Sequence, residues 1–253
     1  MSENCVIKGV NGPVVRVTGG RSLQKMSLVY VGELGLAGEV VSVDGDEAVV
    51  QIYEDSEGLA AGQKVEATGR PLSVLLGPGM IGSTYDGIAR PLAAIETMAG
   101  PFITRGIRLD AVDETRQWDV TVDIREGDRL TPGQIIARCM ESEAVEHRSM
   151  VPPGLSGRAV DVRPSGRFAA GEPICQLEDE RGRRTPLTLC QRWPVRRPRP
   201  AAQRLAITQP LFTGQRVLDT LFPVGKGGCA AIPGPFGAGK TMVQHQLAKW
   251  CDA

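Results

Sequence analysis

The chain has 253 residues, of which 42% are hydrophobic and 23% charged, and its formal net charge at pH 7 is +0. A general nucleic-acid or membrane-surface binder needs an excess of positive charge, so we exclude both classes. The 31 glycines, 18 prolines and 4% aromatic residues predict many turns and short strands rather than long helices.

The six cysteines lie far apart, with no C-x-x-C pair, and the chain has only two histidines. This pattern predicts neither a zinc site nor a disulfide framework, and free or buried thiols in a reducing cytosol are expected. The start "MSENCVIKGV" lacks a basic segment followed by an apolar one, so no secretory signal is expected. No apolar run approaches the roughly 18 residues that span a bilayer, so any membrane connection is expected to run through partners.

Residues 1–70 have the pattern of a small β-barrel. In "GEVVSVDGDEAVVQIYE" an Asp44-Gly45 turn separates two stretches with apolar residues at alternate positions. These apolar residues are Val41, Val43, Val50 and Ile52. The pattern is typical of a hairpin, and several such segments predict a closed barrel because a lone hairpin is marginally stable in water.

Residues 71–110 are predicted to be a connector and the first part of a central domain. The stretch "GRPLSVLLGPGMIGSTYDGIARPLAAI" is rich in Gly and Pro at both ends. We interpret it as an extended strand, a turn and a short helix that starts near Pro91. No chemistry is assigned to this stretch.

Residues 111–190 contain an internal near-repeat, in which "GDRLTPGQII" is echoed by "GRFAAGEPI", with Gly133 and Gly171 38 residues apart. Short strands joined by glycine turns at this spacing predict a folded-over β-sandwich. A biotin- or lipoate-carrying domain has a similar pattern, but it requires an attachment lysine at an exposed hairpin. The chain has no lysine between Lys64 and Lys226, so a structural sandwich remains.

From Arg181 to Arg204 the chain has eight arginines and no acidic residue, including the run "QRWPVRRPRP". The prolines exclude a helix and favour an extended, polyproline-like path. One interpretation is a nucleic-acid patch; the other is a connector whose arginines pair with residues 110–146, which hold ten Asp/Glu and four Arg. We favour the connector, because one aromatic residue and no lysine make a poor nucleic-acid groove.

From about residue 204 the pattern becomes α/β. In "TGQRVLDTLFPV" Thr213 is a predicted N-cap of a helix. A strand is predicted over residues 229–232, followed by a glycine-rich turn and a second helix. The predicted apolar faces of the two helices consist of Val217, Leu218 and Leu221, and of Val243, Leu247 and Trp250 or Cys251.

The turn before the second helix matches the phosphate-loop pattern G-x-x-x-x-G-K-[ST]. Glycines there let backbone N–H groups point at phosphates, and the following helix directs its positive dipole end to the same place. Lys240 is the predicted group for the β/γ-phosphates of ATP or ADP, and the Thr241 hydroxyl is the predicted ligand for Mg²⁺. The predicted binding residues are Gly234, Pro235, Phe236, Gly237, Ala238, Gly239, Lys240 and Thr241. His245 is interpreted as a helix residue and not as a catalyst.

Only twelve residues follow Thr241. Hydrolysis needs a water-positioning carboxylate or glutamine, a further acidic group for Mg²⁺ and often an arginine finger, which normally come from later strands. We therefore expect the truncated start of an ATP-binding α/β domain that is inactive by itself. The fold class predicted is multidomain β plus α/β: a barrel, a sandwich and the start of a P-loop domain.

Six stretches spread over nearly the whole chain resemble the amino-terminal part of the catalytic A (alpha) subunit of V-type and archaeal-type rotary ATPases, in a bacterial form. They are "VGELGLAGEVV", "LGPGMIGSTYDGIARPL", "HRSMVPPGLSG", "RWPVRRPRP", "TGQRVLDTLFPV" and "IPGPFGAGKTMVQHQLAKWCDA". The loop interior with Phe236 and the block at 111–190 are similar to features specific to this subunit.

The resemblance implies four segments: a barrel (1–70), a connector (71–110), the A-subunit insertion (111–190) and the start of a RecA-like ATP domain (191–253). It implies an A₃B₃ head with non-catalytic B subunits, central and peripheral stalks, and an ion-translocating membrane sector. Hydrolysis or synthesis of ATP would be coupled to H⁺ or Na⁺ movement at the cytoplasmic face of the cell membrane. The family's catalytic glutamate and adenine pocket would lie beyond residue 253.

Two rival functions remain at this point. One is a non-enzymatic barrel-and-sandwich scaffold that only contacts partner subunits. The other is a different hexameric P-loop motor, such as a secretion ATPase, against which the insertion speaks.

Overall fold

The computed structural model describes residues 5–143, 145–199 and 205–252. The chain divides into two compact units, one comprising the residues up to Pro198 and one from Arg199 onward. Unit 1 is largely β-structure, whereas unit 2 contains two of the three α-helices found in the described residues.

The first six strands of unit 1 form a closed barrel, which confirms the predicted barrel. The strands are β1 (Cys5–Asn11), β2 (Val14–Thr18), β3 (Ser27–Val31), β4 (Leu36–Asp44), β5 (Glu47–Ile52) and β6 (Lys64–Pro71). They pair antiparallel in the order β1-β2-β5-β4-β3-β6. Alternate side chains along these strands face the inside of the barrel. The fully buried ones include Val15, Val17, Val29, Val31, Leu36, Val40 and Val50.

The hairpin of β4 and β5 turns one residue later than predicted. Asp44 pairs with Glu47, so the two turn residues are Gly45 and Asp46. Gly45 has a φ of +59°, a left-handed conformation that glycine adopts without steric cost.

The two strands of this hairpin expose their valines differently. Val50 and Ile52 of β5 face the core. Val41 of β4 follows the fully buried Val40 and is exposed. The register shifts between Val40 and Ser42, so that Val43 pairs with the buried Ala48, yet Val43 is also exposed.

Between the barrel and the second β-rich block, the chain forms the strand and the helix that were predicted. Strand β7 (Ser73–Leu76) is followed by helix α1 (Leu92–Ala99). Pro91 is the N-cap of α1, and Gly100, with a φ of +83°, ends it. The predicted helix start near Pro91 is therefore confirmed.

The second block is a sandwich of two four-stranded antiparallel sheets, which confirms the predicted sandwich. Its strands are β8 (Gln117–Val122), β9 (Arg129–Leu130), β10 (Ile135–Met140), β11 (Glu146–Met150), β12 (Gly157–Val160), β13 (Gly166–Ala169), β14 (Cys175–Glu178) and β15 (Arg184–Leu187). One sheet has the order β11-β10-β8-β13 and the other β15-β14-β12-β9. The core between them includes Trp118, Val120, Leu130, Ile136, Phe168, Ile174 and Leu177.

The near-repeat of the sequence has a topological meaning. In each copy a glycine turn joins a strand of one sheet to a strand of the other, β9 to β10 and β13 to β14. The two glycines meet different local demands. Gly133 has a φ of +81°, whereas a Cβ on Gly171 would lie 2.9 Å from the Cβ of Glu114. The repeated glycines therefore mark equivalent crossovers between the sheets.

Unit 1 ends in a segment that we call the strap, residues 191–198. Its strand β16 (Gln191–Pro194) pairs antiparallel with β7. The strap then turns, because the Arg197 N–H donates to the carbonyl of Pro194 at 3.1 Å. The predicted extended path is found at residues 191–194, but as a β-strand whose hydrogen bonds come from pairing with β7, and it gives way to a turn at residues 195–197. Pro200 and Arg204 lie outside the described residues.

The predicted pairing of the arginine run with residues 110–146 is only partly correct. Arg192 binds Asp110 through two hydrogen bonds of 2.9 and 2.8 Å, as predicted. Arg196 instead binds Glu39 of the barrel. The fold therefore places a carboxylate from outside residues 110–146, that of Glu39, next to Arg196.

Unit 2 contains a two-stranded antiparallel pair and two helices. Its elements are β17 (Pro210–Leu211), α2 (Arg216–Leu221), β18 (Val224–Gly225) and α3 (Lys240–Trp250). The predicted strand at residues 229–232 is absent, because no strand among residues 205–252 lies beside it. The strands described in residues 205–252 therefore do not form the sheet that an α/β domain requires.

The apolar helix faces predicted for unit 2 are exposed to a large extent. Val217 and Leu221 of α2 are 61% and 69% exposed, and Trp250 of α3 is 62% exposed. Val243 and Leu247 are half-buried. Leu218 and Cys251 are half-buried as well, so residues 205–252 contain no layer that fully covers these faces.

Thr213 is close to α2 but is not its N-cap, which is Gln215. The Thr213 hydroxyl accepts from the Gln215 N–H at 3.1 Å and donates to Asp219 at 2.7 Å. The hydrogen bond from the Thr213 hydroxyl is the main reason why the pKa of the Asp219 carboxyl lies below its ordinary value. Thr213 thus stabilises the first turn of α2 by hydrogen bonds although it lies outside the helix.

Across the three described ranges, no helix is both long and apolar enough to span a bilayer.

Candidate functional site

The predicted phosphate loop, residues 234–241, leads directly into α3. Helix α3 begins at Lys240, and its N-cap Gly239 has φ 80° and ψ 13°. The first intrahelical bond runs from the Val243 N–H to the carbonyl of Gly239 at 3.1 Å. The positive end of the helix dipole therefore lies at the loop, where it favours a negatively charged group.

Three glycines of the loop are required by the backbone path. Gly237 and Gly239 both have a φ of +80°, which L-residues with a side chain rarely adopt. A Cβ on Gly234 would lie 3.2 Å from the Cβ of Ala238, a tight contact across the loop. The Ala238 N–H closes the loop by donating to the carbonyl of Pro235 at 3.3 Å. The glycine spacing of the motif thus matches a compact turn.

The Lys240 ammonium folds back over the loop. It donates to the carbonyl of Pro235 at 2.8 Å and also to the carbonyl of Gly234. The side chain is therefore held at the concave side of the loop, which is where a phosphate would meet the backbone N–H groups. An ammonium on neutral carbonyls keeps its full positive charge available to an anion.

The other predicted site residues lie on the exposed surface of unit 2. Thr241 stands in the first turn of α3, next to Lys240, and its side chain is exposed. The Phe236 ring is 105% exposed. His245 is an exposed residue of α3. The structure therefore brings the loop residues together around Lys240 and leaves their outer side open.

The far end of α3 is anchored to β17 and its neighbourhood. The Asp252 carboxylate accepts from the Phe212 N–H at 2.9 Å, and the Asp252 N–H donates to the carbonyl of Phe212 at 3.0 Å. The Lys226 ammonium lies 2.9 Å from the same carboxylate. Its hydrogen bond is the main reason why the pKa of Asp252 lies below its ordinary value. These contacts fix the direction of α3 and hence of its N-terminus.

Two ionic clusters in unit 1, each built around a buried charged residue, were not predicted from the sequence. In the first, Arg90 donates to Asp86, to Glu54 and to the carbonyl of Ile107. The spacing of Asp86 and Arg90 was a local signal that could have been found, whereas Glu54 lies 36 residues away from Arg90.

The second cluster joins Glu39 of β4 to Arg196 of the strap and to Tyr53, whose hydroxyl donates to Glu39. The sequence contains no signal for this cluster, because its charged partners lie 157 residues apart.

The cysteines are not paired with one another. All six cysteines are free thiols, and burial raises the pKa of Cys139 to about 11 and that of Cys190 to about 12. These two thiols are therefore protonated at neutral pH and are poor nucleophiles. Within the described part of the chain, no group of three His, Cys, Asp or Glu residues is arranged to hold a metal ion.

Two family models match unit 1. Residues 7–69 match the "ATP synthase alpha/beta family, beta-barrel domain", and residues 109–196 match the "ATPsynthase alpha/beta subunit barrel-sandwich domain". These matches coincide with the barrel and the sandwich. The class defined by the fold is thus that of ATP synthase alpha and beta subunits.

Curated relatives match along nearly the whole chain. The V-type ATP synthase alpha chain of Halothermothrix orenii is 51% identical over 253 residues, which are 100% of this chain and 43% of that protein. The A subunit of the A-type ATP synthase of Methanopyrus kandleri is 45% identical over 96% of this chain and 41% of its own length. The V-type ATP synthase alpha chain 2 of Clostridium tetani is 46% identical over 98% of this chain and 42% of its own length.

The chain belongs to the family of V-type and A-type ATP synthase alpha (A) subunits. It spans less than half the length of these three curated relatives.

Proposed function

We propose that these residues form part of the catalytic subunit of a V/A-type rotary ATPase that binds MgATP and couples its hydrolysis or synthesis to ion transport. The observation that carries the proposal is the position of Lys240. Its ammonium lies on the carbonyls of a glycine loop at the N-terminus of α3. This arrangement suits the phosphates of a nucleotide.

The residues of the loop fit the substrate. Backbone N–H groups of residues 234–241 would hold the phosphate oxygens, and Lys240 would balance the charge of the β- and γ-phosphates. The Thr241 hydroxyl, in the first turn of α3, would be a ligand to the Mg²⁺ of MgATP, which neutralises phosphate charge when bound. For Lys240 to reach the phosphates, its ammonium exchanges two neutral carbonyl acceptors for an anionic one, which is a stronger hydrogen-bond partner.

We infer that the remaining catalytic groups, including the glutamate that positions water and the adenine pocket, belong to the part of the protein that these 253 residues do not span. An arginine from a partner would meet the transition-state charge. The division of the chain at residues 70, 110 and 190 stays a prediction.

We further propose an A₃B₃ head, in which three copies of this protein alternate with three non-catalytic B subunits, with central and peripheral stalks. The head would lie at the cytoplasmic face of the cell membrane and reach the membrane only through an ion-translocating sector. The transported ion would be H⁺ or Na⁺.

The test is Lys240→Ala in the reassembled complex. Removal of the ammonium is expected to abolish ATP hydrolysis, measured as phosphate release, while assembly of the head is unchanged by native mass spectrometry. Lys249→Ala is the matched control, because Lys249 lies in the last turn of the same helix and packs over the Trp250 ring. Normal turnover by the Lys240 variant would show that the loop has another role.

A further inference from the structure

The strap is attached to the rest of unit 1 by two guanidinium–carboxylate pairs that lie four residues apart. Arg192 makes two hydrogen bonds to Asp110, and Arg196 makes two to Glu39. Arg192 belongs to β16, which is also held by its pairing with β7. Arg196 lies beyond β16 and connects the end of the strap to the barrel.

The Glu39 carboxylate, on strand β4 of the barrel, binds the Arg196 guanidinium. Glu39 is 6% exposed. One oxygen accepts from Arg196 Nε at 3.0 Å, and the other accepts from Arg196 Nη2 at 2.6 Å and from the Tyr53 hydroxyl. A buried carboxylate without a cation is costly, so the barrel side of this contact favours the bound guanidinium strongly. The Arg196 hydrogen bond is the main reason why the pKa of Glu39 lies below its ordinary value.

The strap end next to this pair does not pack tightly on the barrel. A hollow of about 470 Å³ lies there, lined by Met26, Glu39, Pro71, Leu72, Pro194, Arg196, Arg197 and Pro198. The Val195 N–H donates to the carbonyl of Leu72 at 3.0 Å just before the hollow. Beside this hollow, the Arg196 side chain holds the strap end to the barrel, and the Trp193 indole N–H ties the Arg197 carbonyl to β16 at 2.6 Å.

We propose that Glu39 and Arg196 form a latch that fixes the point at which the chain leaves unit 1. When the latch opens, residues 195–198 leave the barrel while β16 stays paired with β7. This inference is independent of the proposed function, because it uses only contacts within unit 1.

Trypsin reports directly on the latch. The enzyme must bind the Arg196 side chain in its specificity pocket to cleave the Arg196–Arg197 bond, so Glu39 has to release the guanidinium first. Arg197 and Arg199 precede Pro198 and Pro200 and therefore resist trypsin. The Arg196–Arg197 bond is thus an isolated reporter site.

The experiment is limited trypsin digestion of the 253-residue chain, with cleavage at each bond followed by mass spectrometry. In Glu39→Gln we expect cleavage after Arg196 to become about tenfold to a hundredfold faster, as the loss of charge-assisted hydrogen bonds implies. Asp110→Asn is the matched control: it removes the other pair, and we expect it to accelerate cleavage after Arg192 more than after Arg196. An unchanged rate after Arg196 in Glu39→Gln, or an equal rise after both arginines, overturns the latch.

A second variant keeps the proposal testable if Glu39→Gln unfolds the barrel. Arg196→Lys keeps the positive charge and the trypsin site, and the side chain it replaces is 59% exposed. Lysine cannot make the two-pronged contact. We expect cleavage after residue 196 to be severalfold faster than in the wild type, once both rates are normalised to unstructured peptides of the same sequences. Equal or slower normalised cleavage also overturns the proposal.

Discussion

Arg90 donates to Glu54 of the barrel at 3.2 Å, and the two side chains are only 6% and 7% exposed. The pair lies inside unit 1, between the barrel and the segment before α1. Arg90 also binds Asp86 at 2.7 Å, so one buried guanidinium is shared by two carboxylates. Removal of the guanidinium would leave two buried carboxylates that keep only backbone N–H donors, among them Gly106 to Glu54 and Ile88 to Asp86.

Arg90→Ala is therefore expected to destabilise unit 1 by about 3–5 kcal/mol, the usual cost of breaking a buried ion pair from one side. The measurement is the free energy of unfolding in urea. Arg21→Ala is the control, because Arg21 and Asp46 form a pair 3.7 Å apart with side chains 73% and 57% exposed. Its cost should be about 0–1 kcal/mol. Similar losses in the two variants would contradict the buried role of Arg90.

The Glu39–Arg196 pair predicts a dependence of stability on acid. Because the pKa of Glu39 is lower in the folded chain than its ordinary value of 4.5, the ionised carboxylate stabilises the fold above that value. This stabilisation is lost as the pH falls below 4.5 and through the folded pKa. The difference in unfolding free energy between the wild type and Glu39→Gln should shrink in that window, as measured by urea titrations at several pH values. A difference that is as large at pH 3 as at pH 7 would refute this.

Two strand glycines of the sandwich should respond differently to alanine. A Cβ on Gly157 would collide with the backbone carbonyl of Glu178 on the neighbouring strand, whereas a Cβ on Gly166 meets only the carbonyl oxygen of Pro164 at 4.0 Å. Because backbone atoms of a paired strand cannot move away cheaply, Gly157→Ala should cost about 1–3 kcal/mol or more. Gly166→Ala should be close to neutral. Thermal unfolding of both variants checks this, and equal melting temperatures would speak against the strand pairing of β12 with β14.

The exposure of the phosphate loop predicts weak nucleotide binding by these 253 residues. Phe236 is fully exposed, and the outer side of the loop is open. A tight ligand site instead buries most of the ligand surface. We expect a Kd for MgATP weaker than about 1 mM, which corresponds to about 4 kcal/mol of binding free energy. Isothermal titration calorimetry measures it, and a micromolar Kd would contradict the prediction.

The sequence was most informative where structure depends on neighbouring residues. Period-two alternation and turn residues predicted the barrel and the sandwich, and Pro91 predicted the start of α1. Sequence patterns were less reliable where burial had to be inferred. The apolar residues Val217 and Leu221 show the right helical spacing, yet spacing cannot show whether a partner layer covers them.

By itself, the sequence determined the glycine turn and the start of α3 at the predicted phosphate loop, because glycine conformations and a helix start are decided by residues within one or two turns. Only the tertiary structure decided which of the charges that lie far apart in the sequence pair with one another. The chain has 29 basic and 29 acidic residues, and any of them could be partners in a linear sequence. Glu39 and Arg196 meet across 157 positions because barrel closure buries one, and the pairing of β16 with β7 brings the other beside it.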